Sequence, residues 1–359
     1  MKRFVLLAAA AALLASCAPQ GPYEGVAGVP DKIAKHAGPV KIAVVRNLGS
    51  DDNTNQFVSG AQEEGTALGF KVDVFLTNGD DAKFQDFVAQ AITQKYDGII
   101  LSQGRDPYST DLVKKIAAAG IAVSAFDTAV SGDVPGVTVT SQADESLAEQ
   151  SLGALVSDFK GKANIVKLWV AGFPPMERRQ TVYKKVLADN PGIKELAVAG
   201  AVSSDVPGDT ANKVSALLAK YPKGKIDAIW GSWDAFSQGA YKALKENNRT
   251  EIKLYSIDVS NQDLQLIQEP KSAWQVTAAV DPKLIGKINL RIVAKKIAGE
   301  DTPASYEFKA NLIQKADLDK AGKAVNVLGL ADIIPGWGQS DDLTSPWFDA
   351  LKAKFAAKK

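Results

Sequence analysis

Few side chains in this sequence combine a reactive type with a telling position. The clearest is Asp127, followed by Thr128, where an apolar run over residues 121–126 stops at two polar residues. A carboxylate at such a point either accepts hydrogen bonds from a ligand or caps the next turn. In open parallel α/β sheets ligands lie at the carboxyl edge of the strands, so position alone leaves both roles open. What the sequence lacks narrows the chemistry further. Its one cysteine is Cys17 and its one histidine is His36, and both precede the first predicted strand. The folded part therefore has no Cys–His or Ser–His–Asp constellation, no thiol nucleophile and no metal site built on His or Cys. Carboxylate chemistry and Ser–Lys pairs remain available.

The elements that must position Asp127 follow a regular rhythm. Residues 96–128 read as strand, helix, strand, with Gly98-Ile99-Ile100-Leu101 short and apolar enough to be buried on both faces. The spacing predicts further strands over 40–45, 71–76, 137–139, 163–170, 196–202, 226–230, 253–257 and 274–280. Helices are predicted between them, including 53–68, 144–159, 176–189, 210–220, 234–245 and 282–297, the last with Pro282 in its first turn. Alternating β and α units with short connections mean parallel sheets covered by helices. About ten strands exceed a comfortable single sheet, so two doubly wound lobes are expected. The chain has 359 residues, 46% hydrophobic and 23% charged, which suits a globular protein of two domains. Lys and Arg number 42 against 41 Asp and Glu; without Lys2 and Arg3 the basic count falls by two, to 40. Neither nucleic acid nor an anionic membrane surface is expected as a partner.

The first residues carry a different signal. Lys2 and Arg3 precede an apolar run, residues 4–14, too short to span a bilayer as a mature helix, so this is an export signal. Its ending, Leu14-Ala15-Ser16-Cys17, resembles the bacterial lipoprotein box. That resemblance implies a signal peptide over 1–17, lipidation of Cys17, and a mature protein anchored to a membrane outside the cytoplasm, in the periplasm or at the cell surface. Residues 18–38, rich in Gly, Pro and Ala, are read as a tether.

A second resemblance covers residues 41–308. The stretches GAQEEGTALGFKVDVF, QKYDGIILSQGRDPYSTDLVKKIAAAGIAVSAFDT, WGSWDAFSQGAYKAL, LYSIDVS and VTAAVDPKLIGK, in this order, resemble the periplasmic sugar-binding proteins of ABC transporters. The type they resemble is the ribose-binding one, with the type I periplasmic binding protein fold. The resemblance implies two Rossmann-like doubly wound lobes with parallel sheets, joined by a three-crossover hinge. The N-terminal lobe would comprise 39–141 plus 281–308, the C-terminal lobe 142–280 plus 309–335, with 336–359 as a C-terminal extension. Ser345-Pro346 fits the start of a last short helix.

The resemblance also assigns residues. Asp127 matches a carboxylate, at the end of the fourth strand, that takes sugar hydroxyls. Its neighbour is often Arg in ribose binders; Thr128 stands here and points to another sugar. The first loop, SDDNTNQF, places Asn53 and Gln56 near the family's Asn and aromatic positions. Arg179, in MERRQTVYKKV with Arg178 beside it, matches an Arg at the start of the second lobe's first helix. Trp233-Asp234 stands where the family has Asn-Asp. Asp258 matches a carboxylate at the end of the ninth strand. At the hinge Val280 replaces a frequent Gln, which leaves Asp281 to supply any polar contact. Asp144 reads as a cap. Trp169 and Phe173 are further aromatic candidates, and Gln103, Arg105 and Asp106 follow a strand end near the cleft. No catalytic residue, cofactor or metal is implied.

These residue types suit a neutral sugar or polyol. Carboxylates accept paired hydroxyl hydrogen bonds, Arg donates a planar pair, and an indole covers C–H surface. The expected function is capture of a monosaccharide or polyol in the interlobe cleft by a monomer, followed by delivery to ABC permease subunits of the inner membrane. A sugar sensor serving a chemoreceptor or histidine kinase is the alternative, and a carboxylate-based sugar-cleaving enzyme is a third.

Overall fold

The strands form where short apolar runs meet. In the computed structural model, which describes residues 21–49, 51–200 and 202–357, a short helix α1 (Asp31–Ala34) leads into β1 (Lys41–Arg46), α2 (Asp52–Ala67), β2 (Lys71–Leu76), α3 (Asp81–Thr93), β3 (Gly98–Ser102), α4 (Ser109–Ala118), β4 (Ala122–Phe126) and β5 (Val137–Gln142). The rhythm continues with α5 (Asp144–Asp158), β6 (Ala163–Leu168), α6 (Pro174–Asp189), β7 (Ile193–Ala199), α7 (Val206–Lys220), β8 (Ala228–Gly231), α8 (Asp234–Glu246), β9 (Lys253–Ile257), α9 (Asn261–Gln268) and β10 (Trp274–Ala279). It closes with α10 (Pro282–Ala298), β11 (Ser305–Phe308), β12 (Asn311–Gln314), α11 (Lys315–Lys320) and α12 (Pro346–Ala356).

The strands make two six-stranded sheets, ordered β11-β5-β4-β3-β1-β2 and β12-β10-β9-β8-β6-β7. The only antiparallel pairing among the described residues is β10 with β12. The chain passes between the sheets after β5, after β10 and after β11, which gives two lobes connected by three strands of chain. Period-two patterning buries both faces of the central strands. Ile42 and Val44 of β1 join Phe57 and Ile288 under α2 and α10, whereas Ala43 and Val45 join Phe84 and Val113 under α3 and α4. The edge strand β7 is largely exposed. It runs from Ile193 to Ala199, earlier than the expected 196–202, because its apolar residues are sparse and its partner β6 sets the register.

One crossing explains why glycine recurs in α2 and α10. A Cβ on Gly60 would lie 1.9 Å from the Lys283 carbonyl oxygen, and one on Gly286 would lie 1.9 Å from that of Phe57. The two helix backbones touch, and only hydrogen fits between them.

Two segments correct the sequence reading. Residues 21–38 are not a free tether. Tyr23 and Ile33 are fully buried. The Tyr23 hydroxyl donates to the Gly69 carbonyl (2.8 Å) and accepts from the Val40 amide (2.9 Å). His36 Nε2 lies 3.0 Å from Asp97 Oδ1. Two isolated apolar residues create no periodicity, so the packing was invisible locally. The C-terminal segment is likewise part of both lobes. Trp337 is buried in the second lobe's core, whereas Trp347, Phe348 and Leu351 of α12 complete the first lobe's core. Arg291 of α10 ties it down, pairing with Glu64 at 2.8 Å and donating to the carbonyls of Ser340 and Asp342. Cys17 lies outside the described residues. Among them no helix is long and apolar enough to cross a membrane.

Candidate ligand-binding cleft

The carboxyl edges of the two sheets face each other, and three strand ends there share one backbone feature. Gln103 after β3, Asp127 after β4 and Asp258 after β9 have φ of 61°, 44° and 74°. Non-glycine residues adopt this left-handed region at a cost, and such strain gathers at functional sites. All three side chains line the space between the lobes. That space is two adjoining chambers of about 40 and 30 Å3, sharing Leu48, Gln103, Gln142, Trp233 and Asp258 as walls. Such volumes hold little more than water, so a sugar requires the lobes to part along their hinge. A wider mouth of about 580 Å3, bordered by Asn53, Trp233 and Asp234, opens from them.

A charged network organises the floor. Arg179, 1% exposed, donates from Nε to Asp144 Oδ1 (2.7 Å), from Nη1 to the Ser232 carbonyl (2.6 Å) and to Asp258 Oδ2 (3.0 Å), and from Nη2 to Asp258 Oδ1 (3.2 Å). Burial works against its charge, but Asp258 and then Asp144 more than offset this and hold its pKa above the ordinary value. Arg178, one residue earlier on α6, reaches across the lobes. It donates to Asp127 Oδ1 at 2.9 Å and to Asp144 Oδ2 at 2.8 Å from Nε. Gln142 Nε2 adds a donor to Asp258 Oδ1 at 3.2 Å.

Two acceptors remain open. Among the described residues, Asp127 Oδ2 and Gln103 Oε1 are buried without a hydrogen-bond partner. An unpaired buried acceptor costs the desolvation of that group, which a donor on a bound molecule would recover. Burial, followed by the charge of Asp144, pushes the Asp127 carboxyl up to about 7, against the pull of Arg178 and Arg179.

The expected residues divide. Asp127, Asp258, Arg179, Trp233 and Asn53 all line the cleft chambers. Asn53 takes part in lobe contact as well, with Nδ2 donating to the Val259 carbonyl at 3.4 Å. Asp234 borders the mouth only. Its Oδ1 accepts from the Ala235 amide, and burial and then the charge of Asp263 raise its pKa well above normal. Three expectations are corrected, each because a group close by in the chain claims the side chain. Thr128 donates to the Phe126 carbonyl and accepts from the Gly104 amide, bracing the turn away from the chambers. Gln56 spends its amide on Asp52, one turn back on α2. Asp281 caps α10 through the Lys283 and Leu284 amides. Asp144, read as a cap, instead holds both arginines. Trp169 turns to the outside of the lobe, donating to the Met176 carbonyl, whereas Phe173 lines the cleft under the Arg105 guanidinium, 4.5 Å from the ring centroid.

Sequence reasoning missed Arg46. It ends β1, is 3% exposed, and donates to Thr54 Oγ1 (3.1 Å) and Ser102 Oγ (2.8 Å), its guanidinium 4.7 Å from the Phe57 ring centre. It walls the second chamber, and burial lowers its pKa. A charge closing the run KIAVVR is the same signal that marked Asp127.

The sequence matches the periplasmic binding protein domain over residues 42–301. The chain belongs to the periplasmic binding protein family. Solved structures agree with this membership. A sugar ABC transporter protein of Yersinia enterocolitica subsp. enterocolitica 8081 is 72% identical, with 92% of this chain and 99% of that one covered and a TM-score of 0.90. The 5-methylthioribose transporter solute-binding protein of Thermotoga lettingae TMO, solved with 5-methylthioribose, is 29% identical over 88% of this chain and 99% of that one, with a TM-score of 0.83. An ABC transporter solute-binding protein of Agrobacterium vitis with bound allitol is 25% identical over 80% and 99%, with a TM-score of 0.72. No curated protein matches the chain. As in other periplasmic binding proteins, the two lobes enclose the cleft between them. Arg178 on Asp127, Arg105 over Phe173 and the Asn261 amide on Asp52 (2.6 Å) hold them together here.

Proposed function

We propose that this periplasmic binding protein captures a monosaccharide or polyol between its lobes and delivers it to an ABC permease. The observation that carries the reading is the pair of open buried acceptors, Asp127 Oδ2 and Gln103 Oε1, inside a cleft whose charges largely offset one another. Arg46, Arg178 and Arg179 stand against Asp51, Asp127, Asp144 and Asp258. A neutral, hydroxyl-rich ligand supplies donors to the open acceptors without adding charge to that network. Relatives bound to 5-methylthioribose and allitol support the same ligand class. Asp127 and Gln103 accept ligand hydroxyls, Asp258, held by Arg179, and Gln142, bonded to Asp258, present further polar atoms, and Trp233 covers C–H surface. Asp127, Gln103, Asn53 and Arg46 make up the first lobe's share, and Asp258 and Trp233 the second's, so the ligand is fully held only when the lobes meet. Both oxygens of Asp258 are engaged by Arg179, which favours a fixed acceptor over a catalytic acid and argues for binding without chemistry. The protein acts as a monomer tethered outside the cytoplasm by lipidated Cys17.

A thermal-shift screen across pentoses, hexoses, polyols and 5-methylthioribose tests the reading, with calorimetry on any hit and recovery of the ligand afterwards. Saturation at a hundred times Kd stabilises by about 2.7 kcal/mol. A flat screen, or conversion of the sugar into products, would refute it.

A further inference from the structure

The two inner chambers differ in character. Both share Gln103, Gln142 and Asp258; one adds Arg46, Asp51 and Asn53. The other adds Asp127 and Arg179 on one side and an apolar wall on the other. Trp233 and Phe173 alone would cover the faces of a sugar ring. The wall continues past them through Val170, Met176 and Val202, which are aliphatic or thioether side chains with no donor or acceptor to offer a hydroxyl. The Met176 sulfur is already occupied, accepting from Ser232 Oγ at 3.2 Å. Val202, 38% accessible, extends the wall outward, since it borders both this chamber and the mouth.

We propose that the cleft is built for an amphipathic sugar or polyol, one that carries an alkyl or alkylthio group where an ordinary sugar ends in a hydroxyl. The hydroxylated head meets Asp127 Oδ2 and Gln103 Oε1, the acceptors left open. The apolar end lies along Val170, Met176 and Val202 toward the mouth. A terminal hydroxyl in that place loses its water and finds no partner. An apolar group there gains burial, and a single methylene in an apolar pocket already discriminates by roughly tenfold or more. The proposal rests on the solute-binding reading and refines its ligand class.

The test measures dissociation constants by calorimetry for matched pairs: ribose with 5-methylthioribose, and D-galactose with D-fucose. The apolar-ended member of at least one pair is expected to bind about tenfold tighter or better than its partner. Val202→Asn, at an exposed position where the fold tolerates it, is expected to shrink that ratio while leaving the melting temperature of the free protein unchanged. If the tightest ligand in the wider screen is an unsubstituted sugar or polyol, or if Val202→Asn leaves the ratio intact, the proposal falls and the solute-binding reading stands. If no carbohydrate binds, that reading falls with it.

Discussion

Arg179 was expected to hold ligand, yet its donors are committed within the second lobe, and this difference is measurable. Arg179→Met keeps the length and apolar stem and removes the guanidinium. Four hydrogen bonds disappear, two of them the bidentate pair with Asp258 and one the 2.7 Å contact with Asp144. Both carboxylates remain buried, Asp144 at 0% and Asp258 at 6% exposure. Breaking a buried pair by removing one partner costs about 3–5 kcal/mol, because the surviving charge is stranded. Asp144 keeps Arg178, whereas Asp258 keeps only Gln142, so the lower end, about 3 kcal/mol, applies. At roughly 2–4 °C per kcal/mol for a unit of this size, the melting temperature falls by about 6–12 °C. Arg179→Lys recovers only part of this, since one ammonium cannot serve both carboxylates in a fork. Differential scanning calorimetry of the ligand-free protein at neutral pH reads the effect. A melting temperature within about 2 °C of wild type, together with lost sugar binding, would show that Arg179 serves the ligand and that the frame argument is wrong.

Asp127→Asn tests the open carboxyl. Its pKa is raised to about 7 in the fold, chiefly by burial, so between about pH 4 and 7 the folded protein holds a proton that the unfolded chain has lost. That stabilisation is complete below the unfolded pKa and disappears as pH rises through about 7. Thermal melts of the Asn variant should therefore lose less stability than wild type from about pH 5 to about pH 8, and parallel pH profiles would count against the assignment. Gly286→Ala, which forces a methyl onto the Phe57 carbonyl, is expected to cost about 1–3 kcal/mol in urea unfolding. Gly153→Ala on the open face of α5, where nothing lies within 4 Å, should be neutral or gain up to about 1 kcal/mol; equal effects at the two sites would undo the packing argument. Cys17→Ser should move the protein from the membrane fraction to the soluble extracytoplasmic fraction, and persistent membrane association would refute lipidation at that residue.

Much of the site was legible because a polar residue that closes an apolar run stands out. Asp127 and Asp258 carry that signal, and so does Arg46, which the same logic would have found. Thr128, Gln56 and Asp281 share the neighbourhood but not the role. Each finds a backbone or side-chain partner within a few residues, and local hydrogen bonds of this kind compete with any distant use of the side chain. Asp144 shows the reverse. It starts a helix and looks like a cap, but Arg178 and Arg179, one helix further along the chain, outbid the local amides because a buried carboxylate gains more from a guanidinium.

The sequence by itself determined the alternation of buried strands and amphipathic helices, hence two mostly parallel sheets, and by composition it left no second histidine or cysteine to build a paired site. Those properties are local or additive, written into spacing and residue counts. Only the tertiary structure decided which strand ends meet. Asp127 and Arg178 lie on different lobes, 51 positions apart, and Asn53 reaches Val259 across 206. Such pairings depend on how two sheets face each other across a hinge, and no window of sequence contains that relation. The same holds for Tyr23, Ile33 and Trp347. Tyr23 and Ile33 have no periodic neighbours, and although Trp347 starts a helical pattern, which lobe it packs on follows from surfaces that the rest of the chain builds.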